Sequence, residues 1–166
     1  NTPQSDQIAM VKFGDPDAAA VVTRTTTDSP YEVNTAFSRN IGDLQTSIST
    51  LSATGGSTHM SPALALARQI LDGPQRNLEG NALPVLIILT DGGVNDNIET
   101  FTEIDTIRRQ VNARIVVIGL GDSIERNFIT RIADPGDAYF PTNPTELVEV
   151  YRQIAGRIQP SVAAEN

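Results

Sequence analysis

The chain has 166 residues, 39% of them hydrophobic, with 20 acids against 12 bases, a formal charge of −8 and no cysteine. That length suits one domain, the acidity argues against a nucleic-acid surface built from clustered Lys and Arg, and the lack of thiols excludes disulfides, zinc–thiolate sites and thiol catalysis. No apolar run approaches the ~20 residues that span a bilayer and no secretory signal peptide is visible, while the missing cysteine leaves the compartment open.

Asn1 to Asp6 reads as a turn inside a protein rather than a natural start. Gln7 to Phe13 reads as a strand, Gly14-Asp15-Pro16-Asp17 as a turn, and Ala18 to Thr23 as the antiparallel partner of a hairpin. Thr25 to Asn34 is polar connecting chain. Phe37, Ile41, Leu44, Ile48 and Leu51 follow one another at spacings of four and three, which predicts one face of an amphipathic helix. A Gly-rich turn, Thr54 to Met60, leads into a second helix, with Ser61 expected as its N-cap, Pro62 at its first position and Leu64, Ala67 and Leu71 as its buried stripe. Gly73-Pro74 stops it.

Pro84 to Leu89 is apolar on both faces, as expected of a central parallel strand covered by helices, and Thr90-Asp91-Gly92 ends it. Phe101, Ile104, Ile107 and Val111 mark a third helix. Ile115 to Leu120 is a second buried strand. Ile124, Phe128, Ile129 and Ile132 mark a short helix, and Ala138-Tyr139-Phe140 a short last strand. Asn143-Pro144 opens a final helix with Leu147, Tyr151, Ile154 and Ile158 on its inner face. The tail 159–166 is polar. The expected strands are thus 7–13, 18–23, 84–90, 114–120 and one near 138–140.

After the hairpin, strands alternate with helices. That order predicts an α/β fold of three layers, a doubly wound and mostly parallel sheet with one antiparallel edge hairpin and right-handed crossovers. Ligands of such sheets bind at the carboxyl ends of strands, the edge on which Thr58 and Asp91 are expected. A hydroxyl and a carboxylate are oxygen ligands suited to hard divalent cations. On the residues alone both stay open, Asp91 between cation ligand and strand-end turn acid, Thr58 between ligand and a hydroxyl bonding a local amide. Ser57 reads as a turn residue. His59, the single histidine, has no partner for a triad or a metal cluster and is a candidate for the ligand-facing rim. Asp96 is open between that rim and a solvated loop acid. There is no G-x-G-x-x-G fingerprint, Walker A loop or G-x-S-x-G elbow, so no enzyme is expected.

Three stretches together carry a family resemblance: Gly-Gly-Ser-Thr-His-Met-Ser-Pro-Ala-Leu at 55–64, Val-Leu-Ile-Ile-Leu-Thr-Asp-Gly at 85–92, and Ala-Tyr-Phe-Pro-Thr-Asn-Pro-Thr-Glu-Leu at 138–147. In this order and spacing the chain resembles a von Willebrand factor type A domain of bacterial type, from its second strand onward, over 1–158. The resemblance implies a metal-ion-dependent adhesion site in which Thr58 and Asp91 are ligands, Gly55, Gly56 and Ser57 form the supporting loop, and Gly92 lets the chain turn away beneath the ion. The implied ion is Mg²⁺, Mn²⁺ or Ca²⁺, with an open position for an acidic side chain of a protein ligand. It implies a location at the cell surface or outside the cell, with the cytoplasm left open by the residues themselves. The family's first loop, Asp-x-Ser-x-Ser, occurs nowhere in these residues. Full cation affinity is therefore expected to depend on first-loop ligands from elsewhere, and the first strand, central in the family, on an upstream segment or another chain. A vacancy is expected between strand 7–13 and strand 84–90. The competing function is a metal-free scaffold domain of a larger assembly such as a pilus or surface complex.

Overall fold

The computed structural model describes residues 7–14, 19–21, 37–38, 40–49, 51, 56–73, 83–122 and 124–158. The turn at Asp15–Asp17, the connecting chain before Phe37 and the tail after Ile158 lie outside the described residues. The chain divides into two compact units, Asn1–Pro84 with Val94–Asn112, and Val85–Gly93 with Ala113–Asn166.

The first unit holds β1 (Val11–Lys12), β2 (Ala20–Val21), α1 (Ile41–Ser49), α2 (Ser61–Asp72) and α3 (Asn97–Val111). β1 and β2 pair antiparallel, Val11 with Val21 and Lys12 with Ala20, so among the described residues the expected hairpin is present over these two pairs. Isolated bridges, Ile8 with Ser38 and Gly14 with His59, extend the same backbone beyond it. α1 is shorter than its sequence stripe: Leu44 and Ser47 are buried, whereas Ile48 and Leu51 are exposed. α2 buries Ala63, Leu64, Ala67 and Ile70, and α3 buries Thr100, Ile104, Ile107 and Val111. These two stripes pack against each other. Arg68 of α2 closes the seam by donating to Glu103 of α3 at 3.0 Å. Asn112 ends α3 in the left-handed region, at φ 53°, a conformation Asn tolerates better than most residues.

The second unit is a parallel sheet in the order β3 (Val85–Thr90), β4 (Arg114–Gly119), β5 (Ala138–Tyr139), with α4 (Arg126–Ile132) and α5 (Pro144–Ile158). Side chains alternate between the faces of a strand, and β4 is buried on both. Val116 and Ile118 pack with Val150 and Ile154 of α5. On the opposite face the helix is α4: a Cβ at Gly119 would stand 2.5 Å from Ile129 Cδ1, so a larger residue there requires the Ile129 side chain to shift. α5 presents Val150 rather than Tyr151 to the core; Tyr151 is 42% exposed.

β3 pairs only with β4 among the described strands, in register from Val85 with Arg114 to Thr90 with Gly119. It lies at the edge of its sheet, not at the centre expected from its apolar run. Ile87 and Leu89 are 41% and 40% exposed. A strand apolar on both faces but paired on one side leaves a row of backbone donors and acceptors without ladder partners. No helix among the described residues is long and apolar enough to cross a membrane.

Candidate functional site

The loop before α2 is built by non-local hydrogen bonds. Gly56 has φ 117°, a backbone region open to glycine and strained for other residues. Gly55 lies outside the described residues. At Thr58 the backbone is gripped on both sides of Cα: its N–H donates to Asn95 Oδ1 at 2.7 Å, and its carbonyl accepts the Asn95 N–H at 2.7 Å. The His59 N–H donates to the Gly14 carbonyl at 2.6 Å. The Ser57 hydroxyl and His59 Nδ1 lie 3.2 Å apart, so these two half-buried side chains bond to each other. Among the described residues the Thr58 hydroxyl has no hydrogen-bond partner.

α2 begins at Ser61, and its N-cap residue is Met60, whose side chain makes no capping bond. Ser61 is therefore the first helical residue and not the cap expected from the Ser-Pro pair. The acceptor comes from 35 residues downstream in the sequence. Asp96 Oδ1 accepts the Met60 N–H at 3.0 Å and Oδ2 accepts the Ser61 N–H at 2.8 Å. Two of the N–H groups that every helix start leaves without partners are thereby satisfied. The Thr100 hydroxyl donates to the same carboxylate at 3.2 Å. Asp96 is itself the residue before α3, yet its side chain makes no capping bond to its own helix. It is 7% exposed, which corrects both the solvated loop acid and the rim residue of the sequence reading. Burial pushes its pKa up, but hydrogen bonds from the Ser61 hydroxyl and amide, the Met60 amide and the Thr100 hydroxyl outweigh this and hold it below the ordinary carboxylate range.

In the second unit, Asp91 follows β3 at the carboxyl end of the strand and is exposed. Thr90, just before it, is buried and uses its hydroxyl on the Gly92 carbonyl at 3.3 Å, while its own carbonyl accepts the Leu120 N–H at 2.8 Å. Among the described residues the Asp91 carboxylate has no hydrogen-bond partner. A Cβ at Gly92 would meet nothing within 4 Å, whereas one at Gly93 would stand 2.8 Å from Glu125 Oε1. The close approach in this loop is thus at Gly93, against the end of the Glu125 side chain.

Thr58 belongs to the first unit and Asp91 to the second. A hydroxyl and a carboxylate are each donors that suit a hard cation, and no three of His, Asp and Glu gather among the described residues. Sequence reasoning missed the work of Asn95 and Asp96. The signal was a run of three Asx residues, Asn95-Asp96-Asn97, before a helical stripe, a place where such side chains serve as caps.

Residues 1–153 match the family model of the von Willebrand factor type A domain. Among solved structures, the chain is similar to a von Willebrand factor type A protein from Catenulispora acidiphila, at 22% identity and a TM-score of 0.70, over 94% of this chain and 34% of that one. It is similar to the manganese-loaded TRAP protein of Plasmodium vivax, at 21% identity and a TM-score of 0.59, over 86% of this chain and 54% of that one. It is also similar to proximal thread matrix protein 1 of the mussel byssus, solved with a zinc-occupied MIDAS motif, at 21% identity and a TM-score of 0.65, over 89% of this chain and 33% of that one. At these identities the likeness shows the fold, which is the α/β class expected from the alternation of strands and helices. The chain spans roughly a third to a half of the length of these structures. A comparison with curated proteins returns no match.

Proposed function

We propose that this chain, which belongs to the von Willebrand factor type A domain family, holds a divalent cation at the carboxyl edge of its sheet and uses it to bind a protein partner. The observation that carries this reading is the state of the two motif oxygens. The Thr58 backbone is held by Asn95 while its hydroxyl is uncommitted among the described residues, and Asp91 stands exposed at the end of β3. Mg²⁺ is the proposed ion, with Mn²⁺ or Ca²⁺ as substitutes. Thr58 and Asp91 would hold it, with Gly55, Gly56, Ser57 and Gly92 as the supporting loops and His59 at the rim. A bound ion supplies a positive centre with coordination positions left for a partner's acidic side chain. Mg²⁺ prefers six oxygens, so two protein oxygens bind it weakly and strong binding requires a first-loop Asp-x-Ser-x-Ser from outside these residues. The side of β3 that has no partner among the described strands, on a strand whose Ile87 and Leu89 are exposed, is where we place the strand that carries that loop, supplied by an upstream segment or another chain. We take the role to be non-enzymatic, the location to be the cell surface or outside the cell, and 1–158 to act as a single domain.

The second reading is a metal-free scaffold domain in a pilus or surface complex. It is favoured by the absence of Asp-x-Ser-x-Ser from these residues and of a three-acid cluster among the described ones. Thermal unfolding of the protein as the cell makes it separates the two. Because a ligand of the native state stabilises it by about 2.7 kcal/mol at a hundred times its Kd, Mg²⁺ or Mn²⁺ is expected to raise Tm by several degrees in the wild type. The rise should vanish in Thr58→Val and Asp91→Asn. An equal Tm in cation and in chelator for all three supports the scaffold.

A further inference from the structure

We infer that Asn95 and Asp96 are positioning residues, a two-residue latch that sets the Thr58 loop in the geometry a cation needs; the inference rests on the cation reading above. Each arm has its own geometry. Asn95 makes a reciprocal pair with Thr58, side-chain oxygen to N–H and N–H to carbonyl, both at 2.7 Å. Holding the N–H and the carbonyl of one residue fixes its φ and ψ together, and with them the direction of the Cα–Cβ bond. Only χ1 remains to aim the hydroxyl, and a threonine has few χ1 rotamers. Asp96 then fixes the downstream end, taking the Met60 and Ser61 N–H groups on separate oxygens at 3.0 and 2.8 Å. One continuous stretch therefore controls the loop over Thr58 to Ser61.

The plain alternative is that both residues merely cap α2. Asp96 alone fits that alternative, because its two bonds are those of a helix cap supplied from a distance. Asn95 does not. It is exposed, it touches no helix N–H group, and its two bonds go to the residue whose hydroxyl is the candidate ligand. The latch also holds the loop without a cationic side chain: among the described residues the donors to Asn95 Oδ1 and to the Asp96 carboxylate are amides and hydroxyls. A lysine or arginine in that role would repel the ion electrostatically.

The test uses the protein as the cell makes it, with two readouts: amide hydrogen exchange by NMR and Mn²⁺ affinity by calorimetry. Asn95→Ala is expected to speed exchange of the Thr58 amide by tenfold or more while leaving the Ile104 and Val117 amides unchanged. It is expected to weaken Mn²⁺ binding about tenfold, equivalent to about 1.4 kcal/mol. Asn95→Asp keeps an acceptor oxygen in place and should restore slow exchange at Thr58. Asp96→Asn should speed exchange at Met60 or Ser61, with a smaller loss of affinity. Unchanged exchange at Thr58 in Asn95→Ala overturns the latch. Faster exchange with undiminished Mn²⁺ affinity overturns the positioning role and leaves a cap. If the wild type takes up no Mn²⁺, the cation reading and the positioning role both fail, and that outcome is told apart from a failed latch by the exchange data.

Discussion

Among the described residues two carboxylates are buried, and they are held in opposite ways. Asp96 is held by neutral groups, the amides of Met60 and Ser61 and the hydroxyl of Thr100. Asp137, 4% exposed just before β5, is held by cations. Arg114 Nε and Nη2 donate to its two oxygens, each at 2.7 Å. Arg157 Nη1 adds a 3.4 Å contact and also donates to the Tyr139 hydroxyl at 2.9 Å and to the Gly136 carbonyl at 3.2 Å. Arg114 opens β4 and Asp137 precedes β5, so this knot ties the amino ends of parallel strands. Asp91 leaves β3 at the carboxyl end. A bidentate pair with cations spends its charge on stability and leaves none for a ligand. A carboxylate satisfied by amides orders the backbone around it, and in the first unit that backbone carries the candidate ligand loop.

The contrast is broken most forcefully at Asp137. Replacing it with alanine leaves the Arg114 guanidinium without its partner, at an expected cost of about 3–5 kcal/mol, read as a fall in the urea midpoint. The paired change Arg114→Met with Asp137→Leu should recover most of that loss. If the single substitution costs nothing, the knot is not what secures the amino ends of β4 and β5. Asp96→Ala should cost less, about 1–3 kcal/mol, because it leaves two amides without an acceptor and no buried cation. Asp96→Asn should fall between alanine and the wild type.

Acid should act on both carboxylates in the same direction. The hydrogen bonds from Arg114, opposed by burial and reinforced by the charges of Arg114 and Arg157, hold the Asp137 pKa below the ordinary carboxylate range. A depressed folded pKa gives stability that is complete above the unfolded value and is lost as pH falls through the folded one. The urea midpoint of Asp137→Asn should therefore converge on the wild type as the pH falls below the unfolded carboxylate value of about 3.9. Parallel curves through that fall would mean the pair contributes no pH-dependent stability. The smallest effect is expected at Asp91, where alanine should change stability by no more than about 0.5 kcal/mol, as for an exposed residue without partners. A large loss there would assign Asp91 to the framework instead of the site.

The elements legible in the sequence were those whose environment repeats along the chain. The run Val85 to Leu89 and the run Ile115 to Leu120 needed only apolar continuity, and the stripe Ile104, Ile107 and Val111 only a helical period. What the sequence did not show was set by distant partners. Ser61 has the composition of a cap, but the acceptor at that helix start is Asp96, and no local pattern announces a carboxylate reaching back across 35 residues. Tyr151 shares the helical spacing of the true inner face, and a large amphipathic ring can satisfy that spacing from the flank while Val150 fills the core. The apolar run of β3 does not itself announce an unpaired side, since such a strand reads the same whether its second neighbour is within the chain or not; that side was expected only from the first strand that the family resemblance implies and these residues lack. For the site, the motif positions Thr58 and Asp91 were legible as residue types; the grip of Asn95 on Thr58 was not, because it depends on a side chain 37 residues away.

The central claim is that Asp91 serves a cation and not the fold. The most direct measurement is the electron paramagnetic resonance signal of free Mn²⁺ as it is titrated with the protein as the cell makes it, wild type beside Asp91→Ala. The account predicts that the wild type removes one Mn²⁺ per chain from the free signal, that Mg²⁺ competes for it, and that Asp91→Ala, folded to the same urea midpoint, removes none. Equal uptake by both proteins, or uptake by neither, would contradict it.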